Sequence, residues 1–114
     1  MPTDIKKVYI PSDSLELIDL GVKIYARHCI MGDKSPLLAL KTNTWEENGD
    51  KVNNALRFYE LIEEGLNPSQ EYIRKHDELI IKIRLTIEAS HDLLLAIYHN
   101  NPTKLDFWGF QVEE

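Results

Sequence analysis

The residues best suited to chemistry are Glu88 and His91, which stand three positions apart near the end of the longest predicted helix. This Glu-x-x-His spacing puts a carboxylate and an imidazole on one helix face, and two-metal sites in four-helix bundles use two such motifs with two further glutamates. The chain has one copy, so a symmetric dimer would have to supply the second, with Glu60 or Glu63 as the other carboxylates. Any Glu three residues before a His in a helix gives this spacing, so an ordinary surface or packed histidine is the simpler interpretation of His91.

The remaining polar signals have structural interpretations. His76 and Ser90 occupy positions of the long helix where apolar residues are expected, and we interpret both as polar residues that fix the register against a neighbouring helix. A protonation-sensitive contact is the functional alternative for His76. His28 and Cys29 are adjacent and point in different directions on a helix, which disfavours a thiolate and imidazole pair. The sequence has no glycine-rich phosphate loop and no Gly-x-Ser-x-Gly turn, so we predict no catalytic residues and no cofactor.

The composition is that of a small soluble domain. The chain has 114 residues, a formal net charge of −6 and a single cysteine, Cys29. This length fits one domain with its own core, and a lone cysteine fits a reducing compartment. The negative charge disfavours binding to nucleic acid or anionic lipid, and no apolar run approaches the roughly 20 residues that span a bilayer. The N-terminus lacks the apolar core of a signal peptide. We therefore predict a cytoplasmic protein with no nucleic-acid and no membrane partner.

Hydrophobic spacing and helix end signals predict an all-α fold, an up-down bundle of three long helices in which residues 1–114 form a single domain. The predicted segments are an arm at 1–11, a helix at 13–31, a short helix at 36–41, a helix at 45–65, a long helix at 68–100 and an extended tail at 101–114. Val8, Tyr9 and Ile10 favour a strand, but no other convincing strand is available to pair with them. We expect an extended arm that lies on the bundle or on a second subunit, and no sheet.

Capping residues mark the helix ends. Asp13 and Thr44 each precede a glutamate by three positions, which is the spacing of a capping box. Asn67 precedes a proline and marks the start of the long helix, whose end at Asn100 comes before a second asparagine and a proline. The short connection after Gly65 predicts that the second and third long helices form an antiparallel hairpin.

Each long helix carries apolar residues at alternating spacings of three and four, which is the pattern of a coiled-coil seam. In the first helix the predicted seam consists of Leu15, Ile18, Val22, Tyr25 and Cys29. A second stripe of Leu17, Ile24 and Met31 lies beside it. The apolar arc of this helix is wide, so contact with more than one neighbour is expected.

In the long helix Ile81, Leu85 and Leu95 lie more than about 120° from the centre of the seam, at roughly 100° per residue. A helix that is apolar on two sides normally packs between neighbours. We therefore predict a homo-oligomer in which these three residues contact another subunit. In a monomer the first helix and the tail would have to cover them instead.

The tail is rich in aromatic residues, with Phe107, Trp108 and Phe110 close together. Each large apolar side chain left in water would forfeit about 1.5–3 kcal/mol of burial free energy, so the tail is expected to fold back on the bundle as a clasp. Gly109 allows a sharp turn between the aromatic anchors. A docking peptide for a protein partner is the alternative, so the three aromatic residues are also candidate interaction residues.

Residues 101–110 read NPTKLDFWGF and follow a long helical hairpin and an earlier Ser35-Pro36-Leu37. In these features the chain resembles a group of uncharacterised bacterial helical proteins that end in an Asn-Pro, a Leu and a Trp-Gly-Phe or Phe-Gly-Phe element. In some of those proteins the element precedes a fibronectin type III-like module. Here Asp106-Phe107 replaces the usual Gly-Asp before the aromatic residue. The resemblance implies a helical bundle and carries no particular chemistry.

Together these patterns favour a non-enzymatic helical-bundle protein that self-associates and serves as a structural or protein-interaction module. The alternative is a metal-binding bundle whose carboxylate and histidine site forms across a dimer. A carrier of a small apolar ligand is a third hypothesis, for which the sequence offers no positive signal. The predicted interaction residues are Ile81, Leu85, Leu95, Phe107, Trp108 and Phe110.

Overall fold

The computed structural model describes residues 8–65 and 70–112, and this part of the chain is mostly helical. In chain order the elements are β1 (Val8–Tyr9), α1 (Ser14–Met31), two 3₁₀ turns (Gly32–Lys34 and Pro36–Ala39), α2 (Trp45–Glu64), α3 (Gln70–Ile97), a third 3₁₀ segment (Pro102–Trp108) and β2 (Gln111–Val112). Within the described residues no helix has the length and apolar character needed to cross a membrane.

The predicted caps of α1 and α2 are confirmed. The Asp13 carboxylate accepts the backbone N–H of Glu16 at 3.1 Å, and the Thr44 hydroxyl accepts that of Glu47 at 3.3 Å. The start predicted at Asn67 lies outside the described residues. At its other end α3 stops at Ile97, before the predicted end at Asn100, because the chain tightens there into a turn.

One core joins the three long helices, the second 3₁₀ turn and the tail. Its buried apolar side chains are Leu17, Ile18, Leu20, Ile24, Leu37, Trp45, Val52, Ala55, Ile83, Ile87, Leu94, Leu105, Trp108 and Phe110. The predicted seam of α1 was only partly right. Ile18 is in the core and Tyr25 packs against it, but Val22 and Cys29 are exposed whereas Leu17 and Ile24 of the second stripe are buried. Two apolar stripes side by side give a wide arc, and spacing alone does not say which part of it faces the core.

A close contact around Gly49 connects the three helices. The ring of Tyr25 on α1 stacks on Trp45 of α2, with ring centroids 5.9 Å apart. A Cβ atom at Gly49 would lie only 2.3 Å from the Tyr25 ring, so the bare glycine backbone makes room for that ring. The indole N–H of Trp45 donates to the hydroxyl of Ser90 on α3 at 2.8 Å.

A second buried polar pair lies one turn along the same helices. The side-chain amide of Asn48 donates to the hydroxyl of Thr86 at 2.8 Å, while Trp45 pairs with Ser90. Asn48 follows Trp45 along α2, whereas its partner Thr86 precedes Ser90 along α3. These two helices therefore run in opposite directions at this contact. Ser90 therefore has a partner across the helix pair, as expected for a polar residue on the seam.

The two ends of the described chain pair with each other. Strand β1 is antiparallel to β2, with Val8 opposite Val112 and Tyr9 opposite Gln111. The expectation of no sheet was wrong, because the partner strand lies in the tail and is too short to show a strand pattern of its own. The tail is also not extended, since Pro102–Trp108 forms a 3₁₀ helix.

The arm lies against α3. The guanidinium group of Arg84 donates to the backbone oxygens of Pro11 and Ser12 at 3.0 and 3.3 Å. The expectation of an arm lying on the bundle is thus confirmed for the residues near Pro11. Residues 1–7 of the predicted arm lie outside the described residues.

We expect Gly49→Ala to destabilise the fold by about 1–3 kcal/mol, since an overpacked methyl group must displace the Tyr25 ring. This loss opposes a gain of up to about 1 kcal/mol from the better helix propensity of alanine. Urea unfolding measures the net effect, and Asn53→Ala on the exposed side of α2 is the control for propensity. If Gly49→Ala is as stable as that control, the close contact is not important; in a Tyr25→Ala background the penalty should disappear.

Candidate interaction site

The structure gives the candidate metal ligand His91 a different role. Its Nε2 atom lies 3.0 Å from the backbone oxygen of Val8, and its Nδ1 atom lies 3.0 Å from the carboxylate of Asp92. Both ring nitrogens are therefore engaged within the chain, and the ring also makes an edge contact with buried Phe110. His91 holds the arm and the tail against α3.

The other candidate ligands do not join His91 within one chain. Glu88 is exposed on α3, and Glu60 and Glu63 are exposed on α2. In the described residues no group of three or more histidine, cysteine, aspartate or glutamate side chains is arranged to hold a metal ion. A site formed across a dimer remains a prediction.

A polar cluster that the sequence analysis missed lies where α1, the 3₁₀ turns and α2 meet, with two of its three side chains buried. The Nδ1 atom of His28 lies 2.5 Å from the hydroxyl of Ser35, and its Nε2 atom lies 3.3 Å from the carboxylate of Glu46. Ser35 also caps its 3₁₀ turn by accepting the backbone N–H of Leu37. The available signal was the position of Ser35 just before the short helix predicted at 36–41, but nothing in the sequence linked it to His28.

These residue types also serve as nucleophile, base and orienting acid in hydrolases. A nucleophile needs space beside its oxygen for a substrate, yet Ser35 and His28 are only 4% and 7% exposed. The Ser35 oxygen is in addition already occupied by the backbone of the turn. The cluster therefore fits a tether that fixes the 3₁₀ turns to both helices.

An open groove lies between α1 and the tail. Its volume is about 550 Å³, and its lining residues are Lys23, Ala26, Arg27, Ile30, Asp106, Phe107 and Gly109. Ile30 is 81% exposed and Phe107 is 68% exposed, which makes them the two most exposed large apolar side chains in the described part of the protein. These two side chains meet in one concave surface instead of being scattered.

Arg27 positions the tail wall of this groove. Its Nε–H donates to the backbone oxygen of Phe107 at 3.2 Å, and its guanidinium group lies 5.9 Å from the centre of the Phe107 ring. Gly109 passes close over the aliphatic part of Lys23, where a Cβ atom would lie 2.8 Å from a side-chain carbon. Neither Lys23 nor Arg27 forms an ion pair with any described residue, so two cations border the apolar surface.

The six predicted interaction residues separate into two groups. Ile81 and Leu85 are 60% and 41% exposed on the outer side of α3, and Phe107 is exposed in the groove. Trp108 and Phe110 are only 3% and 1% exposed, so their placement on an interaction surface is corrected: both are core residues. Leu95 also packs against the core. The tail thus acts as the predicted clasp and leaves one aromatic residue outside.

The two tyrosines with a shifted pKa lie at helix contacts and not in the groove. Burial raises the pKa of the Tyr25 phenol, and the neighbouring Cys29 raises it further. Burial likewise raises the pKa of Tyr59, with Glu63 as the next cause. Burial at helix contacts is thus the largest cause of both pKa shifts.

Comparison with known protein families, with curated proteins and with solved structures found no match for this chain. The likeness to bacterial helical proteins that was drawn from the tail motif stays a prediction. The functional argument therefore depends on the geometry of the exposed surfaces.

Substitution of Phe110 and of Phe107 tests which part of the tail holds it on the bundle. Phe110→Ala should destabilise the protein by about 3–5 kcal/mol, because it empties a buried site in the core. Phe107→Ala should change stability by less than about 1 kcal/mol, because its ring is mostly in solvent. Thermal or urea unfolding measures both. Equal losses for the two variants would contradict this division of the tail.

The pKa of Tyr25 predicts a dependence on alkaline pH. Because the folded-state pKa lies above the ordinary value of 10.0, the unfolded chain loses this proton first as the pH rises. The free energy of unfolding should therefore decrease as the pH rises above 10. Urea unfolding at a series of pH values on either side of 10 measures this dependence. Above pH 10, the free energy of unfolding of Tyr25→Phe should fall less steeply with pH than that of the parent chain. An unchanged slope would show that this phenol is not responsible.

Proposed function

We propose that this chain is a non-enzymatic protein-interaction module that self-associates through its exposed apolar surfaces. The observation that supports this most directly is the meeting of Ile30 and Phe107 in one groove. Large apolar side chains gathered in an exposed concave patch mark interaction surfaces more often than isolated ones do. Burial of each side chain in a contact would contribute about 1.5–3 kcal/mol.

The framework that presents the groove is an up-down bundle of three helices in this proposal. Residue pairs between α1 and α2 support it, because Gly21 lies near Val52 whereas His28 lies near Glu46. His28 follows Gly21 along α1, whereas Glu46 precedes Val52 along α2. This order supports an antiparallel arrangement, like that of α2 and α3. In such a bundle the tail runs alongside α1, where it contacts Lys23 and Arg27, and forms a wall for the groove.

The alternative hypothesis of a metal-binding dimer has less support. Binding of a metal by His91 would require it to give up the contact with Val8 or with Asp92. That exchange would release either the arm or an acidic neighbour. The resemblance to bacterial helical proteins is compatible with an interaction module and supplies no chemistry for a metal centre.

Light scattering across a concentration series tests the proposed function. From about 1 μM to about 1 mM, which spans moderate to weak affinities, the mass should rise above the 13.3 kDa of one chain. The variant Ile30→Asp should remain closer to the monomer mass, whereas Asn53→Asp on the outside of α2 should behave as the parent. A constant monomer mass for the parent chain would contradict self-association, and stoichiometric metal in the same peak would favour the alternative.

A further inference from the structure

We propose that the groove between α1 and the tail binds the outer face of α3 from a second copy of this chain. This inference depends on the proposed function and specifies its contact. A second copy is the proposed occupant because two separate surfaces of the same molecule match in residue spacing and in charge.

The outer face of α3 carries a row of four side chains, here called the α3 row: Ile81, Leu85, Glu88 and Asp92. Successive members are four, three and four residues apart, so they lie along one line of the helix. All four are exposed, and the line faces away from buried core residues such as Ile83. The row reads as two apolar residues followed by two acids.

The acids of the α3 row have few partners of opposite charge. Among the described residues Glu88 forms no ion pair, and the ion pair of Asp92 is with the His91 ring. The nearest arginine on this side, Arg84, directs its guanidinium group to the backbone of the arm. A cation from another molecule would therefore have acids to pair with.

The groove offers the complementary order along α1. Ile30, Arg27 and Lys23 are three and four residues apart when α1 is followed toward its N-terminus. At a rise of about 1.5 Å per residue, Arg27 and Lys23 lie about 4.5 and 10.5 Å along the axis from Ile30. The α3 row repeats these distances. Glu88 and Asp92 lie about 4.5 and 10.5 Å from Leu85 along the axis of α3.

An antiparallel approach of the two helices therefore aligns three pairs at once. Leu85 meets Ile30, Glu88 meets Arg27, and Asp92 meets Lys23. The remaining apolar member of the row, Ile81, lies about 6 Å beyond Leu85, which in this alignment is past the end of α1 at Met31. Asp106 also lines the groove, which therefore has two cations, Lys23 and Arg27, and one acid.

The contact is between unlike surfaces, since the groove of one copy receives the row of another. In contrast to a contact between two identical patches, such an arrangement leaves each molecule with one further groove or row to offer. This property allows a complementation test with two variants. Ile30→Asp damages only the groove, and Leu85→Asp damages only the α3 row.

Sedimentation velocity on the separate and mixed variants is the experiment. Each variant alone should self-associate at least about tenfold more weakly than the parent, as loss of a central contact residue does. An equimolar mixture should recover a one-to-one complex of near-parental affinity, because the intact groove of one variant receives the intact row of the other. Asn53→Asp serves as the control in every mixture.

Charge reversal tests the register without changing an apolar residue. Arg27→Glu and Glu88→Arg should each weaken association, and the chain that carries both should recover it, because residue 27 of one copy meets residue 88 of another. Circular dichroism establishes that each variant is folded, which matters most for Arg27 because it also holds the tail. If Leu85→Asp does not fold, Glu88→Arg replaces it in the mixing experiment.

The outcomes separate the two proposals. If the parent chain self-associates but the mixture forms no complex and the double reversal brings no recovery, this contact is wrong and the proposed function stands. If the parent chain is monomeric at every concentration, both are wrong. Recovery in the mixture together with recovery by the double reversal supports the groove-to-row contact.

Discussion

The ring of Tyr25 lies directly on the backbone of Gly49, and the relative positions of the three long helices depend on this contact. Only a residue without a side chain lets an aromatic ring approach a helix so closely. The same ring stacks on Trp45, whose indole N–H is held by Ser90 of α3. Because the indole nitrogen would be left unsatisfied in the core if α3 shifted, the contact fixes register as well as distance. One aromatic pair and one hydrogen bond thus connect all three helices.

With the helices fixed from the inside, the ends of the chain are fastened from the outside by long polar side chains. Arg84 holds the arm near Pro11, His91 contacts the backbone of Val8, and Arg27 holds the tail at Phe107. Each bond goes to a backbone oxygen, so it fixes the path of the chain without depending on the neighbouring side chain. For this reason Phe107 can be held in place while its ring faces solvent.

The parts of the fold that were predictable from the sequence are those that depend on neighbours in the chain. The caps at Asp13 and Thr44 are local hydrogen bonds. The return of the tail to the bundle was expected, but its division into buried Trp108 and exposed Phe107 was not predictable. The strand pair of Val8 and Val112 was not predictable, because it joins opposite ends of the chain through short segments. The cluster around His28 was missed for the same reason: its partners come from elements that meet only in three dimensions. The groove was not predicted. Of its lining residues only Phe107 was a candidate interaction residue, since Ile30 gives no signal until the tail lies beside it.

The exposed apolar residues are not needed to complete the core, and this shapes the kind of association to expect. Ile30 and Ile81 are mostly in solvent while the interior is already filled from α1, α2, α3 and the tail. A chain whose core is complete can fold before it associates, so the contact proposed with another copy would be a separate and reversible step. Substitutions at these positions should therefore act on association and leave folding largely unchanged. Had the outer side of α3 been part of an obligate interface, its apolar residues would form a wide continuous surface, as half of a divided core does. Instead the α3 row changes after one turn from apolar to acidic, so its acids keep it hydrated in a single chain, as the proposed reversible contact requires.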